Sequence, residues 1–138
     1  MKWKMQTIRL ETHKQFELSD LTSEIENEVY DSEIKQGICI ITSTHATSAL
    51  IINENEAGLK EDILNKILTL APEGEDYQHN HIDNNARAHV IASILGTSLT
   101  LIIEEGHLVR GKWQNIFFVE LDGPRVNREV MVKIFGEK

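Results

Sequence analysis

Apolar side chains recur at two spacings along this chain, and each spacing predicts a different backbone. In residues 56–70, Leu59, Ile63, Leu64, Ile67 and Leu68 fall on one stripe of a helix. Residues 20–34 carry Leu21, Ile25 and Val29 four apart, behind the capping candidates Ser19 and Asp20. Residues 85–95 predict a third helix, with Ala86, Val90 and Ile94 on one face. Elsewhere the period is two. Residues 2–10 alternate as a strand, but the apolar positions change parity between Met5 and Ile8, so a bulge is expected there. Residues 37–42 and 48–53 are short β-branched runs that predict buried strands. Ser98 to Ile103 is apolar, Gly106 marks a turn, and Leu108-Val109 resumes. Residues 113–121 place Trp113, Phe117, Val119 and Leu121 on one face. Residues 128–135 set Val130, Val132 and Ile134 against Glu129, Met131, Lys133 and Phe135. Between these two runs, Asp122-Gly123-Pro124-Arg125 has turn composition. Strands this closely spaced favour antiparallel pairing. The expected class is α+β: one domain over residues 1–138, with a substantial, mainly antiparallel sheet and about three helices against or beside it.

Composition narrows the function. The 138 residues carry a net charge of −8, which opposes nucleic acid and anionic membrane in bulk and leaves room for a local basic pocket. No apolar stretch reaches the ~20 residues of a membrane span. The start, Met1-Lys2-Trp3-Lys4-Met5, lacks the apolar core of a secretory signal, so a soluble cytoplasmic protein is expected. The single cysteine, Cys39, sits in an apolar run and reads as a buried small hydrophobe.

Candidate chemistry gathers around the histidines. There are six. His45 follows an apolar strand, His79 and His81 lie in the long polar stretch 71–85, and His89 lies on the following helix. Imidazole is both the usual acid or base near neutral pH and a common metal ligand, although no zinc-finger or zincin spacing is present. Asn85, His89 and Ser93 are four apart and share one helix face. Arg125 and Arg128 flank the Gly123-Pro124 turn, and guanidinium forks suit phosphate. Thr47, Ser48 and nearby amides add donors. Glu120 and Asp122 alternate with Leu121 and face one side. Surface salt bridges and a solvated helix face would account for the same residues.

The chain resembles the YjbQ family of small proteins, some of which are described as secondary thiamine-phosphate synthases. The likeness spans almost the whole chain. It rests on His45-Ala46-Thr47-Ser48 with Asn53-Glu54-Asn55, on Tyr77-Gln78-His79-Asn80 with Asn85-Ala86-Arg87-Ala88-His89, and on Leu95-Gly96-Thr97-Ser98-Leu99. Gly111-Lys112-Trp113-Gln114-Asn115-Ile116-Phe117 and Glu120-Leu121-Asp122-Gly123-Pro124-Arg125 complete it. Arg87 is a departure, since many relatives read Asn-Ala-His-Ala-His there.

The resemblance implies a mainly antiparallel twisted sheet or β-sandwich-like core, a homotrimer, and a pocket shared by His45, His79 and His89, sometimes with a divalent metal such as zinc or magnesium. It implies joining a pyrimidine methyl diphosphate to a thiazole phosphate with release of pyrophosphate, as a secondary activity. His45, His79, His89 and Glu120 are then the expected catalytic residues. Thr47, Ser48, Asn80, Asn85, Arg87, Arg125 and Arg128 are the expected contacts to a phosphorylated small molecule. Two alternatives use the same residues: a metal-dependent hydrolase or lyase acting on a phosphorylated metabolite, and a non-catalytic trimeric binding protein.

Overall fold

The computed structural model describes residues 1–138. Its elements follow in the order β1 (Lys2–Leu10), β2 (Glu17–Asp20), α1 (Thr22–Ser32), β3 (Gln36–Ser43), β4 (Ser48–Asn53), α2 (Ala57–Leu68), α3 (Ala86–Leu95), β5 (Ser98–Glu104), β6 (His107–Leu108), β7 (Asn115–Glu120) and β8 (Arg128–Glu137). A 3₁₀ turn, Gln78–His81, lies between α2 and α3. The strands form two antiparallel sheets, β1-β8-β3-β5-β6 and β2-β7-β4. The chain therefore crosses between sheets six times, after β1, β2, β3, β4, β6 and β7.

The main core fills the space between the sheets. Ile25 and Val29 of α1 meet Cys39 and Ile41 of β3, Leu50 of β4, Ile116 and Phe118 of β7, and Val130, Val132 and Ile134 of β8. A second core lies behind the three-stranded sheet. There Ala49, Val119 and Leu121 pack on Ile67 of α2 and on Ala88, Ile91 and Ala92 of α3. Strand β7 is thus enclosed on both faces, and Ile116 to Glu120 are all buried. The outer face of the five-stranded sheet is open, with Trp3, Met5 and Ile102 exposed.

Polar side chains close the helix starts. Glu56 precedes α2 and accepts from the amides of Gly58 (3.0 Å) and Leu59 (2.6 Å). Asp20 accepts from Thr22 at the start of α1, from Asn55 before α2 and from Asn115 of β7. Burial raises its pKa, but these donors outweigh that effect and hold it below the usual range.

Four local expectations are corrected. Strand β1 has no bulge, because all nine of its residues pair in unbroken register with β8. The parity change arises because Trp3 and Met5 stand on the open outer face, while Ile8 and Leu10 face the core. Trp113 is not on the buried face of β7. It lies in a turn closed by the Gln114 amide on the Gly111 carbonyl, 61 % exposed, with the Lys112 ammonium 4.9 Å from its ring centroid. On α3 the buried positions are Ala86, as expected, with Ala88, Ile91 and Ala92, whereas Val90 and Ile94 are exposed. Residues 17–20, read as preceding a helix, form a strand against β7.

Candidate functional site

The long polar stretch is folded back on itself. Tyr77 Oη donates to the Pro72 carbonyl at 2.6 Å, and the amide of Asp83 donates to the His79 carbonyl at 2.9 Å. Asn80 Oδ1 accepts from the Ala86 amide at 3.1 Å and so caps α3. Asn85 occupies the N-cap position itself, yet its side chain makes no cap bond. That bond is commonly worth about 1 kcal/mol. Its amide reaches outward instead. Asn85 Oδ1 lies 3.0 Å from His79 Nε2, and Asn85 Nδ2 donates to Asp122 Oδ2 at 2.9 Å. Arg125 holds Asp122 from the other side, with Nη2 on Oδ2 (3.0 Å) and Nε on the Asp122 carbonyl (2.9 Å).

His79 and His89 come together. Their ring centroids are 4.7 Å apart and the planes meet at 72°. Both rings are half-buried. His89 also lines an open depression of about 460 Å³ with Ala46, Ala92, Ser93, Gly96 and Thr97. Every other wall residue is small, so the imidazole is the largest polar group there. This corner can exchange protons with a ligand and donate hydrogen bonds to it.

His45 is held differently. Its Nε2 accepts the Glu129 amide at 2.9 Å. Burial and then the Arg128 charge push its pKa below the usual value, against smaller opposing pulls from Glu129 and Glu120. No group of three His, Cys, Asp or Glu side chains is placed to hold a metal ion, and the His45 nitrogen that faces Glu129 is already engaged. The donors present within the chain therefore do not fit the expected three-histidine ion.

Most of the expected phosphate contacts have other partners. Arg128 is buried and donates through Nε to Glu120 Oε1 at 2.9 Å, through Nη2 to Glu120 Oε2, and through Nη2 to Thr47 Oγ1 at 3.0 Å. Glu120 accepts further from Thr12 Oγ1 (2.7 Å) and from the amides of Leu121 and Asp122. Burial works to raise the Glu120 pKa, but Arg128, Thr12 and the Asp122 amide hold it below the ordinary carboxylate range. Ser48 is fully buried and shares a 2.6 Å hydrogen bond with Ser43. Arg87 closes the end of α2, donating to the carbonyls of Ala71 (2.7 Å) and Leu68 (3.1 Å), with Phe16 beneath it. His81 is exposed beside Asp76. Glu120, Arg128, Thr47, Ser48 and Arg87 are thus turned to internal contacts. His79, His89, Asn85 and Arg125 make up the open corner, with Asp122 joining them. Thr12 carried no signal in the sequence, because a lone threonine after a strand reads as surface.

The chain matches the model of the UPF0047 protein YjbQ-like family over residues 6–137. It is 42% identical to a UPF0047 protein of Archaeoglobus fulgidus over 124 residues, covering 90% of this chain and 96% of that one. It is 43% identical to a UPF0047 protein of Methanothermobacter thermautotrophicus over 132 residues, covering 96% and 92%. Among solved structures, a YbjQ-like protein of unknown function from Sulfolobus solfataricus superposes with a TM-score of 0.97 at 48% identity, covering 99% of each chain. A hypothetical protein from Aeropyrum pernix superposes at 0.93 with 34% identity, covering 97% of this chain and 99% of that one. The chain belongs to the YjbQ family.

Proposed function

We propose that this YjbQ-family chain is an enzyme acting on a phosphorylated small molecule, with His79 and His89 as its reacting imidazoles. The observation that supports this most is the pairing of those rings at 4.7 Å, one of them on an open depression, while the other candidate polar groups are mostly consumed internally. The concrete reaction is the one that the family resemblance implies. The C–O bond between the pyrimidine methylene and pyrophosphate breaks, and pyrophosphate leaves with the electron pair. The thiazole nitrogen supplies the pair for the new C–N bond. An imidazolium that protonates or hydrogen-bonds the leaving oxygen lowers this barrier. Arg125 suits the anion, because it is 48 % exposed and only one edge of its guanidinium is engaged by Asp122.

The test is to incubate the purified protein with a pyrimidine methyl diphosphate and a thiazole phosphate, with and without added zinc or magnesium, and to measure thiamine phosphate and pyrophosphate. His79→Ala and His89→Ala should each lower the rate by about 10²-fold or more while the fold is retained. No product above the protein-free rate overturns the transferase reading. Pyrophosphate released without the thiazole partner replaces it with the hydrolase or lyase alternative.

A homotrimer is part of the same proposal. It is supported by the exposed Trp3, Met5 and Ile102 on the uncovered sheet face, and by Val90 and Ile94 beside His89 on α3. Light scattering that gives a monomer at micromolar concentration overturns it.

A further inference from the structure

The geometry points to Asn85 and Asp122 as positioning residues that fix the tautomer of His79, so that its Nδ1 is the nitrogen presented for reaction. This deepens the reading of the same corner and rests on it only for what His79 then does. An ionised carboxylate can only accept, so the group that Asn85 turns toward Asp122 Oδ2 at 2.9 Å must be its NH₂. The Asn85 carbonyl oxygen then faces His79 Nε2 at 3.0 Å. A carbonyl oxygen can only accept, so Nε2 carries the proton and the lone pair of neutral His79 sits on Nδ1.

Two observations show that this is more than a local turn. Asn85 stands at the N-cap of α3 and forgoes its own cap bond, which Asn80 makes instead. Asp122 is itself held in place by two bonds from Arg125, across a connection 37 residues away from Asn85 in sequence. His45 is fixed in the opposite sense. A backbone amide can only donate, so the Glu129 N–H on His45 Nε2 leaves the proton of neutral His45 on Nδ1. His79 is therefore the proton acceptor of the corner, and His45 is a hydrogen-bond donor.

Long-range ¹H–¹⁵N spectra of the labelled protein at pH 8 read each tautomer directly, with His79→Gln and His45→Gln assigning the signals. The expected result is His79 wholly as the Nε2–H form, with a slowly exchanging ring proton, and His45 wholly as the Nδ1–H form. Asn85→Ala should abolish the slow exchange of the His79 proton. Asp122→Asn, nearly isosteric, should weaken it while the melting curve stays cooperative. Proton on His79 Nδ1 in the wild type, or an unchanged Nε2–H exchange rate in Asn85→Ala, overturns the inference. These outcomes do not depend on turnover, so a protein that fails the transferase assay can still carry this device.

Discussion

The guanidinium of Arg128 meets the carboxylate of Glu120 inside the protein, and their side chains are 5 % and 0 % exposed. Eight residues separate them, yet they belong to different sheets, Glu120 ending β7 and Arg128 beginning β8. Glu120 also accepts from Thr12, beyond β1, and Arg128 also donates to Thr47, between β3 and β4. One ion pair thus ties together three of the six crossings between the sheets, those from β1 to β2, from β3 to β4 and from β7 to β8. A buried pair broken on one side leaves a charge without compensation, so Arg128→Met should cost about 3–5 kcal/mol. The double variant Glu120→Leu with Arg128→Met should lose less than the sum of the single losses. Denaturant unfolding of the four proteins measures the coupling. Additive losses would mean that the two side chains act independently.

Arg87 donates to two carbonyls where α2 ends and stacks near Phe16. Hydrogen bonds from a charged group contribute roughly 1.5–3 kcal/mol. Arg87→Ala should therefore lower stability by about that amount and leave pyrophosphate affinity unchanged. Calorimetric titration beside a thermal melt separates this from an anion contact, which would show the reverse.

The three helices were legible to within about two residues at most ends, because a buried stripe at 3.6-residue spacing survives any tertiary arrangement. Where several stripes compete, the sequence misleads. In α3 nearly every position is apolar or small, and the sheet selected Ala88, Ile91 and Ala92 over Val90 and Ile94. Trp113 failed for another reason: its parity matches the buried face, but the strand begins only at Asn115. The closeness of His79 and His89 was legible from a loop followed by a helix. The fate of the arginines was not. Whether a guanidinium meets a carboxylate or a ligand depends on strands that meet only through the sheet topology, and spacing along the chain carries no information about that.

Cys39 lies at the centre of β3 with no exposed surface, and burial pushes its thiol pKa up to about 12. The thiolate is the reactive form. A disulfide-exchange reagent at pH 8 should leave the folded protein unmodified and react fully once denaturant is added. Rapid modification of the native chain would show that this strand opens.

His45 gives the fold a pH dependence with a definite sign. Burial and Arg128 depress its pKa in the folded state below the usual 6.5. Between those two values the unfolded chain binds the extra proton, so stability falls as pH falls through that window. Above about pH 7 the contribution is fully present. Protonation would also place a ring N–H against the Glu129 amide, two donors facing each other. His45→Gln keeps an acceptor for that amide and removes the titration. Unfolding free energies from about pH 8 to pH 5 should converge for the two proteins as the pH drops. A constant difference across that range would show that His45 does not titrate with folding.

Arg125 is the arginine of the open corner. Its salt bridge with Asp122 is half-exposed, and exposed pairs contribute about 0–1 kcal/mol. Its backbone is fixed more firmly than its charge. The Arg125 amide donates to Thr12 Oγ1 at 2.9 Å, and a Cβ at Gly123 would lie 2.2 Å from the Lys14 carbonyl oxygen, so only glycine fits there. The turn therefore aims the side chain whether or not Asp122 holds it. Arg125→Ala should change the unfolding free energy by no more than about 1 kcal/mol. If the free edge of the guanidinium binds phosphate, the same variant should weaken pyrophosphate binding by roughly ten- to a hundred-fold, the equivalent of one charge-assisted contact. Arg125→Lys should not restore it, because an ammonium cannot hold Asp122 and the anion along two edges of one plane. Titration calorimetry with pyrophosphate on both variants, with melts run in parallel, decides the matter. Unchanged affinity in Arg125→Ala would reduce Arg125 to an anchor for Asp122.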